Sequence, residues 1–213
     1  MSNSKLNAAI KAVEYIKPKI NLDSVIGVGT GSTVNYFIDE LAKIKDLFKG
    51  AVSSSEASTQ LLNNYDIEVF ELNDVDEIKV YIDGADEVDR LFNLIKGGGG
   101  AHTREKIVAS ASNEFVCIVD ESKLVETLGN FPLPVEVIIK SRGYVEREIL
   151  KIGGTPILRK DFLTDQGNQI LDVSNLKIDD PSMLEKEINL IPGVLDNGIF
   201  ANCKPAKVII GKS

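Results

Sequence analysis

Val25-Ile26-Gly27-Val28-Gly29-Thr30-Gly31-Ser32-Thr33 decides how the chain is read. Its first four residues predict a strand buried on both faces. A glycine turn follows at once, and Val34, Phe37, Ile38 and Leu41 then share one face of a helix. Strand, glycine turn and helix make the first half of a βαβ unit. Upstream, Leu6, Ile10, Val13 and Ile16 predict an apolar helix face, and Pro18 ends that helix. Downstream, residues 51–52, 67–72, 79–82 and 115–119 predict strands. Ser53 and Glu56 fit a capping box for a helix running to Leu62, and another helix begins near Thr103. This alternation predicts an α/β fold, a mostly parallel, Rossmann-like sheet with helices on both faces.

After Pro132-Leu133-Pro134 the pattern changes. Residues 135–139 predict a strand, 144–150 a helix, and 157–162 and 169–173 two strands around the Asp165-Gln166-Gly167-Asn168 turn. Asp180 caps a helix that has Pro181 at its first position and Leu184, Ile188 and Ile191 on its apolar face. Residues 194–200 close the set. The order β-α-β-β-α-β is that of a smaller ferredoxin-like α+β domain inserted near the C-terminus. Residues 207–210 are a strand too many for it and return to the first sheet. The expected domains are therefore 1–130 with 203–213, the Rossmann-like catalytic domain, and 131–202.

The 213 residues include 43% hydrophobic and 26% charged side chains and carry a net charge of −8. That balance argues against a nucleic-acid footprint. No apolar run approaches the ~20 residues needed to span a bilayer. Met1 to Lys11 lacks the apolar core of a signal peptide, so a cytoplasmic location is expected. Cys117 and Cys203 lack CxxC spacing and read as reduced core thiols. With His102 the only histidine, neither a zinc site nor a Ser/Cys–His triad of the usual kind can be built.

The chemistry-bearing residues lie in a few stretches. A glycine turn between strand and helix aims backbone N–H groups at whatever sits above the helix N-terminus, which makes an anion site. Thr30, Ser32 and Thr33 add hydroxyl donors. No GK[ST] follows, so this is not a Walker A loop. It keeps G-x-G-x-x-G only to the second glycine, since Ser32 takes the place of the third. Two readings stay open, a cradle for a phosphate monoester and a tight turn whose hydroxyls merely cap the helix. Ser53-Ser54-Ser55 at the next turn has the same two readings.

Asp83-Gly84-Ala85-Asp86-Glu87-Val88-Asp89 follows an apolar strand. Asp83 and Asp86 at a strand end can face one pocket and carry protons near neutral pH. A solvated acidic loop and a Mg²⁺ site are the alternatives, although a haloacid-dehalogenase-like phosphatase would space its aspartates two apart. Glu87 and Asp89 are expected to face solvent. Lys96 precedes four glycines and can neutralise an oxyanion while thin backbone lets a ligand approach. Glu105 falls in a first helical turn, where the dipole alone favours a carboxylate by about 0.3–1 kcal/mol. His102 reads as a bystander. Carboxylates and a lysine beside a phosphate cradle suit acid/base proton transfer.

At these motifs the chain resembles the ribose-5-phosphate isomerases of the A type. The resemblance rests on Gly27-Val28-Gly29-Thr30-Gly31-Ser32-Thr33, Ala51-Val52-Ser53-Ser54-Ser55, Asp83-Gly84-Ala85-Asp86-Glu87, Lys96-Gly97-Gly98-Gly99 and Thr103-Arg104-Glu105-Lys106. Phe131-Pro132-Leu133-Pro134-Val135-Glu136-Val137 and Ile191-Pro192-Gly193-Val194 extend it over nearly the whole chain. Gly100, His102 and a longer stretch between Pro18 and Val25 depart from the family pattern. The resemblance implies interconversion of D-ribose 5-phosphate and D-ribulose 5-phosphate in the non-oxidative pentose phosphate pathway, through an enediolate and without metal or other cofactor. It implies that Glu105 shuttles the proton between C1 and C2 and that Asp83 assists ring opening and proton traffic on the sugar oxygens. Asp86 and Lys96 would orient the substrate and stabilise the oxyanion. Substrate binding would involve Thr30, Gly31, Ser32, Thr33, Gly84, Ala85, Gly97, Gly98, Lys123 and Lys5, with the hydroxyls and the two lysines on the phosphate. The implied assembly is a homodimer or homotetramer. A sugar-phosphate sensor and another aldose–ketose or amino-sugar-phosphate isomerase are the rival readings.

Overall fold

The structure, a computed structural model, describes residues 2–212. Its helices are α1 (Ser2–Ile16), α2 (Ser32–Ala42), α3 (Glu56–Asn64), α4 (His102–Ala111), α5 (Arg142–Lys151) and α6 (Pro181–Asn189). Its strands are β1 (Val25–Val28), β2 (Gly50–Ser53), β3 (Val80–Asp83), β4 (Glu87–Val88), β5 (Leu94–Ile95), β6 (Phe115–Asp120), β7 (Leu133–Val137), β8 (Thr155–Leu158), β9 (Gln169–Ser174), β10 (Val194–Asn197), β11 (Ile199–Phe200) and β12 (Lys207–Gly211). The chain divides into two compact units. The first holds the described residues up to Gly84, Arg104–Lys123 and the stretch from Pro205 onward. The second holds Ala85–Thr103 and Leu124–Lys204.

The first unit is built on a five-stranded sheet in the order β12-β6-β3-β1-β2, with every neighbour parallel. β1, β3 and β6 are buried along their whole length, which is why they read as unbroken apolar runs rather than alternating ones. Pro18 follows the last turn of α1 as expected, inside a short 3₁₀ turn over Lys17–Lys19. The buried face of α1 matches the expected one only in part: Ile16 is buried and Val13 packs against the core, but the rest of the face is shifted. Ala8, Ala9, Ala12 and Ile16 are fully buried, while Ile10 is 39% exposed. The cause is close approach: a β-carbon on Gly211 of β12 would lie 1.8 Å from the Ser4 carbonyl oxygen. Only small side chains allow a helix that near a strand. The strand expected at 67–72 reduces to a single bridge between Val69 and Ala51, and Leu72–Asp74 turns into a 3₁₀ segment.

The second unit contains a four-stranded antiparallel sheet in the order β10-β7-β9-β8. With α5 and α6 as crossovers this gives the β-α-β-β-α-β arrangement read from the sequence. Val135, Val137, Val145, Ile149, Leu171 and Ile188 lie in its core. The strand expected at 157–162 instead spans Thr155–Leu158, because Asp161 adopts a left-handed backbone with φ 52°. The last expected strand breaks at Gly198. Its second half, β11, joins β5 and β4 in a separate three-stranded sheet. That pairing groups residues 85–103 with the second unit, on the other side of the division from the 130/131 boundary read in the sequence. Among the described residues no helix is long and apolar enough to cross a membrane.

Candidate active site

In a parallel sheet the carboxyl ends of all strands lie along one edge, and ligands bind outside it. In the first unit that edge gathers the 29–31 turn after β1, Ser53 at the end of β2, Asp83 at the end of β3 and Asp120 at the end of β6. Gly29 N donates to Ile82 O at 2.9 Å, which ties the glycine turn to β3. Gly31 has φ 110°, a conformation that favours glycine, and serves as the N-cap of α2 with no side-chain capping bond. Two of the turn's hydroxyls are engaged elsewhere. Lys5 Nζ donates to Ser32 Oγ at 2.7 Å, and Ser55 Oγ donates to Thr30 Oγ1 at 2.8 Å. Capping by Ser32 therefore gives way to an exposed hydroxyl with an ammonium on it. In α3 the cap is Ser55, which accepts from Ser58 N, and not the expected Ser53. Ser58 Oγ also donates to Gly29 O at 2.7 Å, so the second turn braces the first.

Asp83 is fully buried. Its Oδ1 accepts from Thr30 N at 3.1 Å and Gly84 N at 2.7 Å, and its Oδ2 accepts from the Tyr81 hydroxyl at 2.5 Å. A β-carbon on Gly29 would lie 2.0 Å from Asp83 Oδ1, so that glycine is the space the carboxylate occupies. Glu105 lies in the first turn of α4 and is 3% exposed. It acts electrostatically on Tyr81. Burial, then the charges of Asp83 and Glu105, push the Tyr81 phenol well above its usual range.

At the end of β6, Asp120 accepts from Ser122 N at 2.9 Å and from the Ser122 hydroxyl. Burial works to raise its pKa. The Ser122 bonds, with Lys123 and Lys5 as neighbouring charges, outweigh burial and leave it lowered. Lys5, Lys123, Ser32 and Asp120 thus form a polar group along this edge.

In the second unit, Asp86 Oδ2 accepts from Gly98 N at 2.8 Å. Lys96 is 2% exposed, and its ammonium lies 5.5 Å from the Phe200 ring centre. Gly100 N closes a turn onto Gly97 O at 2.9 Å. Gly100 has φ 81°, and a β-carbon there would come 2.2 Å from Phe162 Cζ. Both facts require glycine at that departure from the family pattern. His102 is fully buried, with Nε2 3.3 Å from Asp196 O, and acts as a packed core group. Arg159 donates to Gly97 O and Gly98 O at 3.2 Å.

Other expectations need correction. Glu87 does not face solvent. It is 3% exposed, and its two oxygens accept from Gly129 N at 2.7 Å and Phe131 N at 2.6 Å. Asp89 organises a turn through Leu91 N and Asn93 N. Cys117 is a core thiol as read, whereas Cys203 is only half-buried. Sequence reasoning also missed three polar residues. Tyr81 carried one available signal, its i−2 spacing from Asp83, which puts both on one face of a strand. Asp120 could have been flagged as a carboxylate ending a buried strand. Arg159 had no local signal.

A family model for ribose 5-phosphate isomerase A (phosphoriboisomerase A) matches residues 50–213. The chain belongs to the ribose 5-phosphate isomerase A family. Solved members share its whole length. The enzyme from Neisseria gonorrhoeae is 53% identical, with TM-score 0.95, over 100% of this chain and 93% of its own. That from Methanocaldococcus jannaschii is 42% identical, with TM-score 0.92, over 99% and 95%. A D-ribose-5-phosphate isomerase solved in complex with phospho-erythronic acid is 41% identical, with TM-score 0.90, over 97% and 94%. The chain is accordingly an aldose–ketose isomerase that interconverts ribose 5-phosphate and ribulose 5-phosphate, a step of the pentose phosphate pathway.

Proposed function

We propose that Glu105 is the base that takes the C2 proton of open-chain ribose 5-phosphate and returns it to C1. Removal of that proton leaves an enediolate, and reprotonation at C1 gives the ketose. Asp83 moves the proton that must pass between the sugar oxygens and assists ring opening. Asp86 orients the substrate, and Lys96 neutralises the charge developing on oxygen. Thr30, Ser32, Thr33, Lys5 and Lys123 hold the phosphate, with Gly31, Gly84, Ala85, Gly97 and Gly98 supplying backbone around the substrate. A carbon acid beside a carbonyl is weak, so the base has to be positioned and the enediolate charge stabilised. The phosphate supplies remote binding energy for that positioning.

The observation that carries this reading is the association of two buried carboxylates, Asp83 and Glu105, with one phenol, Tyr81. A related enzyme's complex with phospho-erythronic acid also supports it. That ligand is a phosphorylated sugar acid whose planar carboxylate bears two oxygens, as an enediolate does. The proposal includes a cytoplasmic, homo-oligomeric enzyme that needs no metal.

A coupled assay with ribose 5-phosphate in EDTA tests it. Wild-type activity should persist, and Glu105→Gln should lower kcat by about 10²–10⁴ with little change in KM. An active Glu105→Gln enzyme would remove the base from this scheme. Loss of wild-type activity in EDTA would remove its metal-free part.

A further inference from the structure

Tyr81 is the one aromatic residue of β3 and is fully buried. A buried hydroxyl needs a partner, since leaving it unsatisfied costs free energy. Here the partner is the carboxylate two residues on. The hydroxyl donates to Asp83 Oδ2 at 2.5 Å, while Asp83 Oδ1 takes the N–H groups of Thr30 and Gly84.

The ring is held in place to do this. A β-carbon on Gly27 would lie 2.8 Å from Tyr81 Cδ2, so the neighbouring strand carries glycine where the ring lies. Phe115 packs against the other strand's side of it, with ring centres 5.3 Å apart and planes tilted by 39°. Burial and the nearby carboxylates keep the phenol protonated, so it acts as a donor.

We infer that Tyr81 is a positioning residue for the isomerisation: its hydroxyl fixes the direction in which the Asp83 carboxylate meets the sugar oxygens. The inference rests on the role proposed for Asp83. It adds that this aspartate is aimed from beneath by a side chain that never touches substrate.

A double-mutant cycle in kcat tests it, using Tyr81→Phe, Asp83→Asn and the pair. Tyr81→Phe keeps the ring and removes the donor. It should lower kcat by about 10- to 150-fold, the range for one hydrogen bond to a charged group, with KM within about twofold. In the Asp83→Asn background the same change should have almost no further effect, because the two act as one unit. A role in packing alone would give an additive loss, and that result overturns the inference. So does a Tyr81→Phe enzyme with wild-type kcat.

If Asp83→Asn is fully active, the proposed role of Asp83 falls, and this inference with it. If Asp83→Asn is impaired but the losses add, only the Tyr81 inference falls. Should Tyr81→Phe fail to fold, proton NMR of the wild type and Asp83→Asn decides. A strongly downfield tyrosine hydroxyl proton that is lost in Asp83→Asn supports the inference. Its absence from the wild type, or its persistence in Asp83→Asn, overturns it.

Discussion

Arg159 and Asp172 meet as a fork. Nε donates to Oδ2 at 2.9 Å and Nη2 to Oδ1 at 2.5 Å. The same guanidinium donates to the carbonyls of Gly97 and Gly98. The salt bridge therefore aims the remaining donors at the glycine loop that follows Lys96. Lysine cannot reproduce this, because it lacks the planar, five-donor geometry. We expect Arg159→Met to speed amide exchange at Gly98 and Gly100 by about tenfold or more, with Arg159→Lys recovering only part of the protection. Exchange followed by mass spectrometry checks this, and unchanged loop protection in Arg159→Met would sink it.

Gly29 and Asp83 share one space, as the 2.0 Å contact of a hypothetical β-carbon shows. Gly29→Ala must push the carboxylate off the Thr30 and Gly84 amides. We expect kcat to fall by at least about 10²-fold, while Gly31→Ala loses stability through its positive φ with open space around it. Steady-state kinetics beside thermal melts separates the two effects. A Gly29→Ala enzyme with normal kcat would count against Asp83 as a reacting group.

Lys5 and Lys123 flank Asp120, whose lowered pKa keeps it ionised. We expect Lys5→Ala, Lys123→Ala or Ser32→Ala to raise KM for ribose 5-phosphate. Each lost charge-assisted bond is worth ~1.5–3 kcal/mol, or about 10- to 150-fold. Values of kcat should fall by less, since only the part of that binding energy used to position the reacting carbons is felt in the chemical step. Initial rates over a range of substrate concentration check this, and an unchanged KM in all three variants would refute the phosphate placement.

Away from the site, Glu114 accepts from Lys19 Nζ at 2.6 Å and from the Tyr15 hydroxyl at 2.5 Å. Burial acts to raise the Glu114 pKa, but the bonds from Lys19 and Tyr15 outweigh it and leave it lowered. Burial likewise acts to lower the Lys19 pKa and is outweighed by Glu114 and Tyr15, so that pKa is raised. A carboxylate lowered on folding contributes stability above its unfolded pKa of about 4.3, and loses it as pH falls through the folded value. A lysine raised on folding contributes below about 10.4 and loses it as pH rises through the folded value. Glu114→Gln should therefore flatten the acid limb of Tm against pH and leave pH 6–8 with a smaller Tm than wild type. A variant whose acid limb matches wild type would show that the pair contributes nothing on folding.

Much of this was legible in local patterns. The parallel sheet announced itself because strands buried on both faces must be continuously apolar, as in Val25-Ile26-Gly27-Val28. Asp180 with Pro181 marked a helix start whose cap was realised, Asp180 Oδ1 accepting from Met183 N at 3.0 Å. The face of α1 was legible only in part, at Val13 and Ile16, because its burial is set by distance to β12, and a hydrophobicity pattern does not encode distance. Glu87 was misread for the opposite reason. An acidic run looks solvated until the partners of its backbone-bonded member, Gly129 and Phe131, are brought in from 42 and 44 residues away.

The amino-acid order alone determined the class of fold, the glycine turn between strand and helix, and the chemical types available for proton transfer. These follow from periodicity, backbone freedom and side-chain chemistry, which are properties of neighbouring residues. Only folding decided that Tyr81 holds Asp83, that Asp120 stands beside Lys5 and Lys123, and that Arg159 grips the Gly97 and Gly98 carbonyls. Each of those contacts is a hydrogen bond or charge pair a few ångströms long, and its existence depends on where remote strands end in space.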